Sequence, residues 1–153
     1  MPELLPPDDI YWDDLSCGTS WTTRARTITE GEVVAFVNLA WLTEALFTDR
    51  SAPFGPASKG RLVPGSLVYA MAEGLTLSAV KILGFALLNT ELDIKAPTYA
   101  GDTIHVRSEV IGLDPTRKPD RGRARTRNDV INQHGGTVMV YTALRMVTRR
   151  GAP

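Results

Sequence analysis

Hydrophobic positions along the chain first recur at helical spacing and later at every second residue. The run from Trp21 to Ile28 is rich in β-branched residues and predicts a strand. Thr29 followed by Glu32 is typical of a capping box, so a helix is expected to start there. Its buried face would carry Val33, Phe36, Val37 and Ala40.

A second, longer helix is predicted from Pro64 to about Ile82, because proline suits a first helical position. Apolar residues cover most of its circumference, which is typical of a central, buried helix. The segment between the two helices, from Trp41 to Pro64, contains several glycines and prolines and is expected to be irregular.

Four alternating runs follow the second helix, and each implies a strand with one buried and one more polar face. They lie at 88–94, 104–110, 123–130 and 137–147. The tight-turn signals Gly101-Asp102 and His134-Gly135-Gly136 favour antiparallel neighbours. The order of elements predicts an α+β fold, an antiparallel sheet wrapped around one long central helix.

Length and composition fit a single domain over 21–150, with an N-terminal arm over 1–20 that packs on it. The formal net charge is zero, which argues against a nucleic-acid or membrane-surface binder. The N-terminus has no signal-peptide pattern, and Glu73 and Lys81 interrupt the longest apolar stretch, so a cytoplasmic protein without a membrane span is expected. The single Cys17 excludes an internal disulfide and a zinc site of several thiolates.

Four segments, in chain order, resemble one family along nearly the whole chain from Asp13 to Arg149. They read YWDDLSCGTSWTTRARTITEGEVVAFVNL, PFGPASKGRLVPGSLVYAMAEGL, KAPTYAGDTIHVRSEV and VINQHGGTVMVYTALRMV. Together they resemble the MaoC-like dehydratases, relatives of the (R)-specific enoyl-CoA hydratases. The resemblance implies a hotdog fold, usually dimeric, that acts on or binds acyl groups carried on CoA or on a carrier protein.

The residues that carry the family's chemistry are replaced in this chain. Aligned on Phe36 and Leu39, Leu42 stands where the family has its catalytic Asp, and Phe47 stands where it has its catalytic His. Hydration of an enoyl thioester needs a group that activates water and a group that protonates the α-carbon. Leucine and phenylalanine can do neither.

The resemblance also implies a binding role for several positions. Gly65, at the start of the long helix, matches a glycine whose N–H holds the thioester carbonyl oxygen; the alternative is that Pro64-Gly65 only starts the helix. Leu42, Phe47 and Phe54 would make the former catalytic pocket apolar, which suits an acyl group and equally suits a filled, inactive site. Arg123 and Arg125 share a strand face and could bind the phosphates of CoA, or could simply lie in solvent.

Three carboxylates are candidates for acid or base. Glu44 and Asp49 lie near the replaced positions, although acids in such a loop more often cap turns or face water. Glu73 lies on a polar stripe of the long helix and would act as base or nucleophile if the protein is a thioesterase. The alternative is that Glu73 is a hydrogen-bonded carboxylate that faces water or a partner.

Three functions remain open from the sequence. The chain is a MaoC-like hydro-lyase on acyl thioesters, a non-catalytic hotdog subunit of an active hydratase, or an acyl-CoA thioesterase using Glu73. No metal or cofactor is expected, apart from CoA as part of the substrate. The sheet would keep an open edge, so a homodimer or a hetero-oligomer with another hotdog chain is expected.

Overall fold

The computed structural model describes residues 8–51, 55 and 59–151. The helices are α1 (Glu30–Ala40), α2 (Ala45–Thr48) and α3 (Gly65–Ala79). The strands are β1 (Ser20–Thr22), β2 (Arg26–Thr27), β3 (Gly84–Ile94), β4 (Thr103–Pro115), β5 (Arg121–Ile131) and β6 (Thr137–Thr148). In this part of the chain the strands form one antiparallel sheet in the order β1-β4-β5-β6-β3, with β2 beside β1 on β4. The predicted α+β class is confirmed.

The capping box predicted at Thr29 is present and explains where α1 begins. The Thr29 hydroxyl accepts the Glu32 N–H at 3.3 Å, and the Glu32 carboxylate accepts the Thr29 N–H at 2.9 Å. The helix ends at Trp41, whose φ of 55° lies in the left-handed region. Glycine usually occupies such a position because it has no Cβ to clash. The polypeptide therefore turns sharply just before Leu42.

The sheet packs one face on α3, and β5 shows the alternation that the sequence predicts. Its even-numbered residues from Gly122 to Val130 are buried, whereas its odd-numbered residues face outward. The core joins α3 to the sheet through Val68, Met71, Ala72, Leu75, Ile104, Val106, Val130, Met139 and Tyr141. Apolar burial of this kind is the main stabilising term of the fold.

Four elements differ from the sequence prediction. The single strand expected from Trp21 to Ile28 is two short strands, β1 and β2, separated by residues 23–25. The irregular segment contains α2, a single helical turn whose short length leaves little periodic signal. The long helix ends at Ala79 rather than near Ile82, and its residues Ser66, Ala70, Gly74, Leu77 and Ser78 are exposed. The strand β3 begins four residues early, at Gly84, and has no buried residue on either face. It pairs with β6 alone among the described strands, so one edge is open.

The residues before β1 are held against the carboxyl end of the chain. The Trp12 indole donates to the carbonyl of Arg123 at 2.9 Å, and the Arg149 guanidinium lies 4.8 Å from the centre of its ring. A Cβ at Gly122 would come within 2.5 Å of the Trp12 ring, so only glycine permits this approach. Asp13 pairs with Arg149 at 2.6 Å.

We expect this arm to loosen in acid. The hydrogen bond from Arg149 lowers the pKa of Asp13. The pKa of Asp14 is lowered mainly by the hydrogen bond from the Tyr11 backbone N–H, and to a smaller extent by the hydrogen bond from Arg150. A carboxylate with a depressed pKa in the folded state stabilises fully above its unfolded pKa of 3.8, and that contribution is lost as pH falls further. In an NMR titration the Trp12 indole N–H signal should therefore shift below about pH 4.

The double variant Asp13→Asn, Asp14→Asn is the matched control for this titration. It should show the acid-like Trp12 signal already at pH 7, because neither side chain can carry charge. A wild-type signal that stays unchanged while the Asp13 and Asp14 carboxylates themselves become protonated, with the rest of the spectrum intact, would contradict the expectation.

Candidate functional site

A cavity of about 420 Å³ opens beside the N-terminus of α3, between that helix and the segment that follows β3. Most of its described lining residues are aliphatic. The lining residues are Phe47, Leu62, Val63, Gly65, Val68, Ile94, Lys95, Ala96, Pro97, Thr98, Val138 and Met139. A concave, mainly apolar space with a few polar groups is the usual form of a small-molecule site.

The first turn of α3 contains unpaired N–H groups, and one of them belongs to Gly65, which lines the cavity. The Pro64 carbonyl accepts the N–H groups of Leu67 and Val68, at 3.0 Å and 3.1 Å. The N–H groups of Gly65 and Ser66 find no acceptor among the described residues. Helix N-termini leave such groups free and carry the positive end of the helix dipole. The predicted location of Gly65, at a helix start beside a pocket, agrees with the structure.

Gly65 also lies close to the free edge of the sheet. A Cβ at this position would come within 2.5 Å of Ile94 Cδ1, so the absence of a side chain lets Ile94 approach the helix. Ile94 ends β3 and is 61% exposed. The cavity mouth and the open edge of β3 are therefore contiguous.

The two replaced positions are both apolar and partly buried. Phe47 lies on α2 and lines the cavity, and its N–H donates to the Glu44 carbonyl at 2.9 Å. Leu42 packs against the core but does not line the cavity. Phe54 lies outside the described residues. The cavity wall contributed by α2 therefore presents a ring rather than an acid or a base.

Glu44 and Asp49, the two loop candidates for acid or base, do not line the cavity. Glu44 is exposed, and its carbonyl accepts the Thr48 hydroxyl at 3.1 Å. The Asp49 carboxylate accepts the Ser51 N–H at 2.8 Å and the Ser51 hydroxyl at 2.6 Å. The Asp49 carboxylate thus has the turn-capping role typical of acids in such loops, whereas the Glu44 side chain makes no capping bond to α2. In this structure neither carboxylate is positioned for acid or base chemistry at the cavity.

Glu73 is also outside the cavity lining, eight residues from Gly65, or about 12 Å along the helix. Its carboxylate accepts the Tyr141 hydroxyl at 2.7 Å and pairs with the Arg145 guanidinium. The side chains of Glu73 and Arg145 are 15% and 14% exposed. Both carboxylate oxygens therefore have partners, which agrees with the structural alternative for Glu73 rather than with a free base.

Tyr141 belongs to the same polar group beneath α3. Burial, followed by the nearby Glu73 charge, raises the pKa of this phenol. Its hydroxyl therefore stays protonated and donates to Glu73. The Tyr69 ring meets the Tyr141 ring edge-on, with the ring centres 5.0 Å apart, and the Tyr69 hydroxyl lies 3.2 Å from that of Thr90. The group links α3 to β6 and β3.

Arg123 and Arg125 lie on the outer face of the sheet, because their neighbours on β5 are the buried ones. The cavity is on the opposite, α3-facing side. Arg125 donates to the Asn89 side chain at 3.2 Å. The sheet therefore lies between these two arginines and Gly65; their predicted contact with the phosphates of CoA stays a prediction.

Sequence reasoning missed most of the cavity wall. The segment 94–98 and residues Val138 and Met139 carry no motif that marks a site. Lys95 is the one ionisable side chain among the described lining residues; it is 51% exposed and its Nζ lies 3.6 Å from the Asp93 carboxylate. The described lining residues thus include a helix start with an unpaired N–H and a mainly apolar wall, and among them there is no paired acid and base.

Residues 8–51, 55 and 59–151 contain neither a membrane-spanning helix nor a cluster of metal ligands. No described helix combines the length and the apolar character needed to cross a bilayer. No group of three or more His, Cys, Asp or Glu side chains in these ranges is placed to hold a metal ion.

Known proteins resemble the chain in both sequence and fold. No family model matches it. The (R)-specific enoyl-CoA hydratase of Rhodospirillum rubrum is 26% identical over 117 residues, which cover 74% of this chain and 81% of that protein. A MaoC domain protein dehydratase from Chloroflexus aurantiacus is 25% identical with a TM-score of 0.83, over 100% of this chain and 44% of that one.

A Mycobacterium tuberculosis protein with a double hotdog fold gives a TM-score of 0.78 at 26% identity. The match covers 94% of this chain but only 45% of that protein, so the chain spans slightly less than half of both structural relatives. These similarities confirm the hotdog fold and the resemblance to MaoC-like proteins.

Proposed function

We propose that this MaoC-like hotdog protein binds acyl thioesters in the cavity beside α3 and does not hydrate them with its own residues. The observation that carries the proposal is the cavity itself, with the unpaired Gly65 N–H at its lining and no acid–base pair among its described lining residues. The acyl group would lie against the aliphatic wall, and the helix start would hold the thioester carbonyl oxygen.

The open edge of β3 supports a second hotdog unit as partner. Phe85, Leu87, Leu88, Leu92 and Ile94 are all exposed on this strand, although the sequence pattern predicts one buried face. Long apolar edge strands are normally paired or covered. The double hotdog relative joins two units in one chain, and this chain matches less than half of it. A second chain would supply the missing unit and could carry its own Asp and His.

The two catalytic alternatives are less well supported by the geometry. A self-sufficient hydratase would need an acid or base in the cavity, whereas Glu44 and Asp49 lie outside its lining. A thioesterase using Glu73 would need an accessible carboxylate, whereas that group is paired with Arg145 and Tyr141.

The test compares binding of butyryl-CoA and free CoA by calorimetry. Each buried methylene contributes about 0.8 kcal/mol, so the acyl group should strengthen binding by more than about tenfold. Ala96 is partly buried in the cavity wall, and Ala96→Trp should fill the space and remove this gain. Ala70→Trp, on the exposed face of α3 outside the lining, is the matched control and should keep it.

Turnover is measured in the same preparations. Crotonyl-CoA should show no loss of its enoyl-thioester absorbance with this chain alone. Equal affinity for butyryl-CoA and CoA would overturn the binding proposal. Hydration by the isolated chain that disappears in Ala96→Trp would overturn the non-catalytic part.

A further inference from the structure

The cavity offers very little to a hydroxyl group on a bound acyl chain. Among its described lining residues only Lys95 and Thr98 have polar side chains. The Lys95 ammonium is a donor without acceptor capacity and lies near Asp93 at the exposed end of β3. Thr98 is 4% exposed, so its hydroxyl is the single buried side-chain group of the lining that could pair with a ligand hydroxyl.

Phe47 is the residue that leaves a ligand hydroxyl without a hydrogen-bond partner. It stands at the position where hydration chemistry would require a polar side chain. Hydration of a 2-enoyl thioester places a hydroxyl on C3, and a site that makes or holds that product needs a partner for it. The Phe47 ring presents only carbon to the cavity. A hydroxyl buried against it loses water and gains no hydrogen bond.

We propose that the cavity selects acyl thioesters without a 3-hydroxyl group, either saturated or 2-enoyl, against 3-hydroxyacyl thioesters. The inference rests on the proposed function, because it concerns the same cavity. A protein with this preference holds the substrate of hydration rather than its product. Burial of an unpaired hydroxyl sets the expected discrimination at roughly tenfold or more in Kd.

The experiment measures Kd by calorimetry for butyryl-CoA, crotonyl-CoA and both enantiomers of 3-hydroxybutyryl-CoA, with free CoA as reference. Butyryl- and crotonyl-CoA should bind at least about tenfold more tightly than either hydroxyacyl-CoA. Phe47→His introduces a hydrogen-bond donor and an acceptor. It should reduce the difference in Kd between butyryl-CoA and one enantiomer of 3-hydroxybutyryl-CoA. Phe47→Leu is the matched apolar variant and should keep that difference.

Thr98→Val tests the one other hydroxyl partner. It should leave the difference in Kd unchanged or increase it, because the Thr98 hydroxyl could only favour the 3-hydroxyacyl ligands; a smaller difference would contradict the inference. Equal wild-type affinity for butyryl-CoA and a 3-hydroxybutyryl-CoA would overturn the inference while the thioester-binding function stands. Affinity for every acyl-CoA equal to that for free CoA would overturn the proposed function itself. The wild-type comparison decides the question even if a Phe47 variant fails to fold.

Discussion

Glu73→Ala is expected to lower the free energy of unfolding by about 3–5 kcal/mol, the usual cost of removing one partner from a buried ion pair. Glu73 and Arg145 are each about 15% exposed at the side chain, so water cannot replace the lost partner fully. The change also leaves the buried Tyr141 hydroxyl without its acceptor. Urea denaturation of the wild type and the variant measures the difference.

Two further variants separate charge from packing. Glu73→Gln keeps an acceptor for Tyr141 but removes the charge, so its cost should be smaller. The pair Glu73→Leu, Arg145→Leu removes both charges and should recover part of the loss, because apolar replacements of buried pairs are often tolerated. A single Glu73→Ala variant within about 1 kcal/mol of wild type would show that the pair is effectively solvated.

The same variant decides the thioesterase alternative. If Glu73 is structural, acyl-CoA hydrolysis per folded molecule should be identical in wild type and Glu73→Ala. A loss of hydrolysis without a loss of stability would instead make Glu73 a base, and the ion pair with Arg145 would then have to open during turnover.

The sequence predicts the polar stripe that contains Glu73 but not its partner. Helical spacing shows which residues share a face. The pairing with Arg145 depends on how α3 crosses β6, 72 residues further along the chain, and no local pattern contains that information. The capping box at Thr29, by contrast, is confirmed because all of its atoms lie within four residues.

The two strands β5 and β3 show where alternation succeeds and where it fails. Both patterns predict one buried face. On β5 the prediction is correct, because β4 and β6 flank the strand and place it centrally over the core. On β3 the inward-facing Leu92 and Ile94 are exposed, because the strand is at the sheet edge. A periodic pattern shows that one face of a strand is apolar. It does not show whether the residues that pack on that face belong to the same chain.

The candidate site was predictable only where a motif marks it. Gly65 follows from a helix start and from the family resemblance, and Phe47 follows from alignment with the family's histidine. Ala96, Val138 and Met139 are ordinary apolar residues that reach the cavity through the pairing of β3 with β6. Arg123 and Arg125 share a face as predicted, but it is the face directed away from the cavity.

The second large effect is expected at Asn128, a polar residue on the buried face of β5. Its side chain is fully buried; Oδ1 accepts the Ser108 hydroxyl at 2.8 Å. Its Nδ2 donates to the Thr126 hydroxyl at 3.1 Å and to the Tyr141 carbonyl at 3.4 Å. Asn128→Leu has a similar size but removes every one of these bonds. We expect it to lower the free energy of unfolding by about 2–4 kcal/mol, because the partners remain buried.

A double-mutant cycle with Ser108→Ala shows whether the cost comes from the orphaned hydroxyl or from the shape of leucine. Ser108 is fully buried, so its hydroxyl has no access to water once Asn128 is gone. In a Ser108→Ala background that hydroxyl is absent, and Asn128→Leu should cost about 1 kcal/mol less than in the wild type. An identical cost in both backgrounds would assign the loss to the bonds with Thr126 and Tyr141 or to overpacking, and not to the Ser108 hydroxyl. A smaller cost in the Ser108→Ala background would assign that part of the loss to the hydrogen bond with Ser108. The buried polar residues of β5 would then stabilise the fold through specific hydrogen bonds.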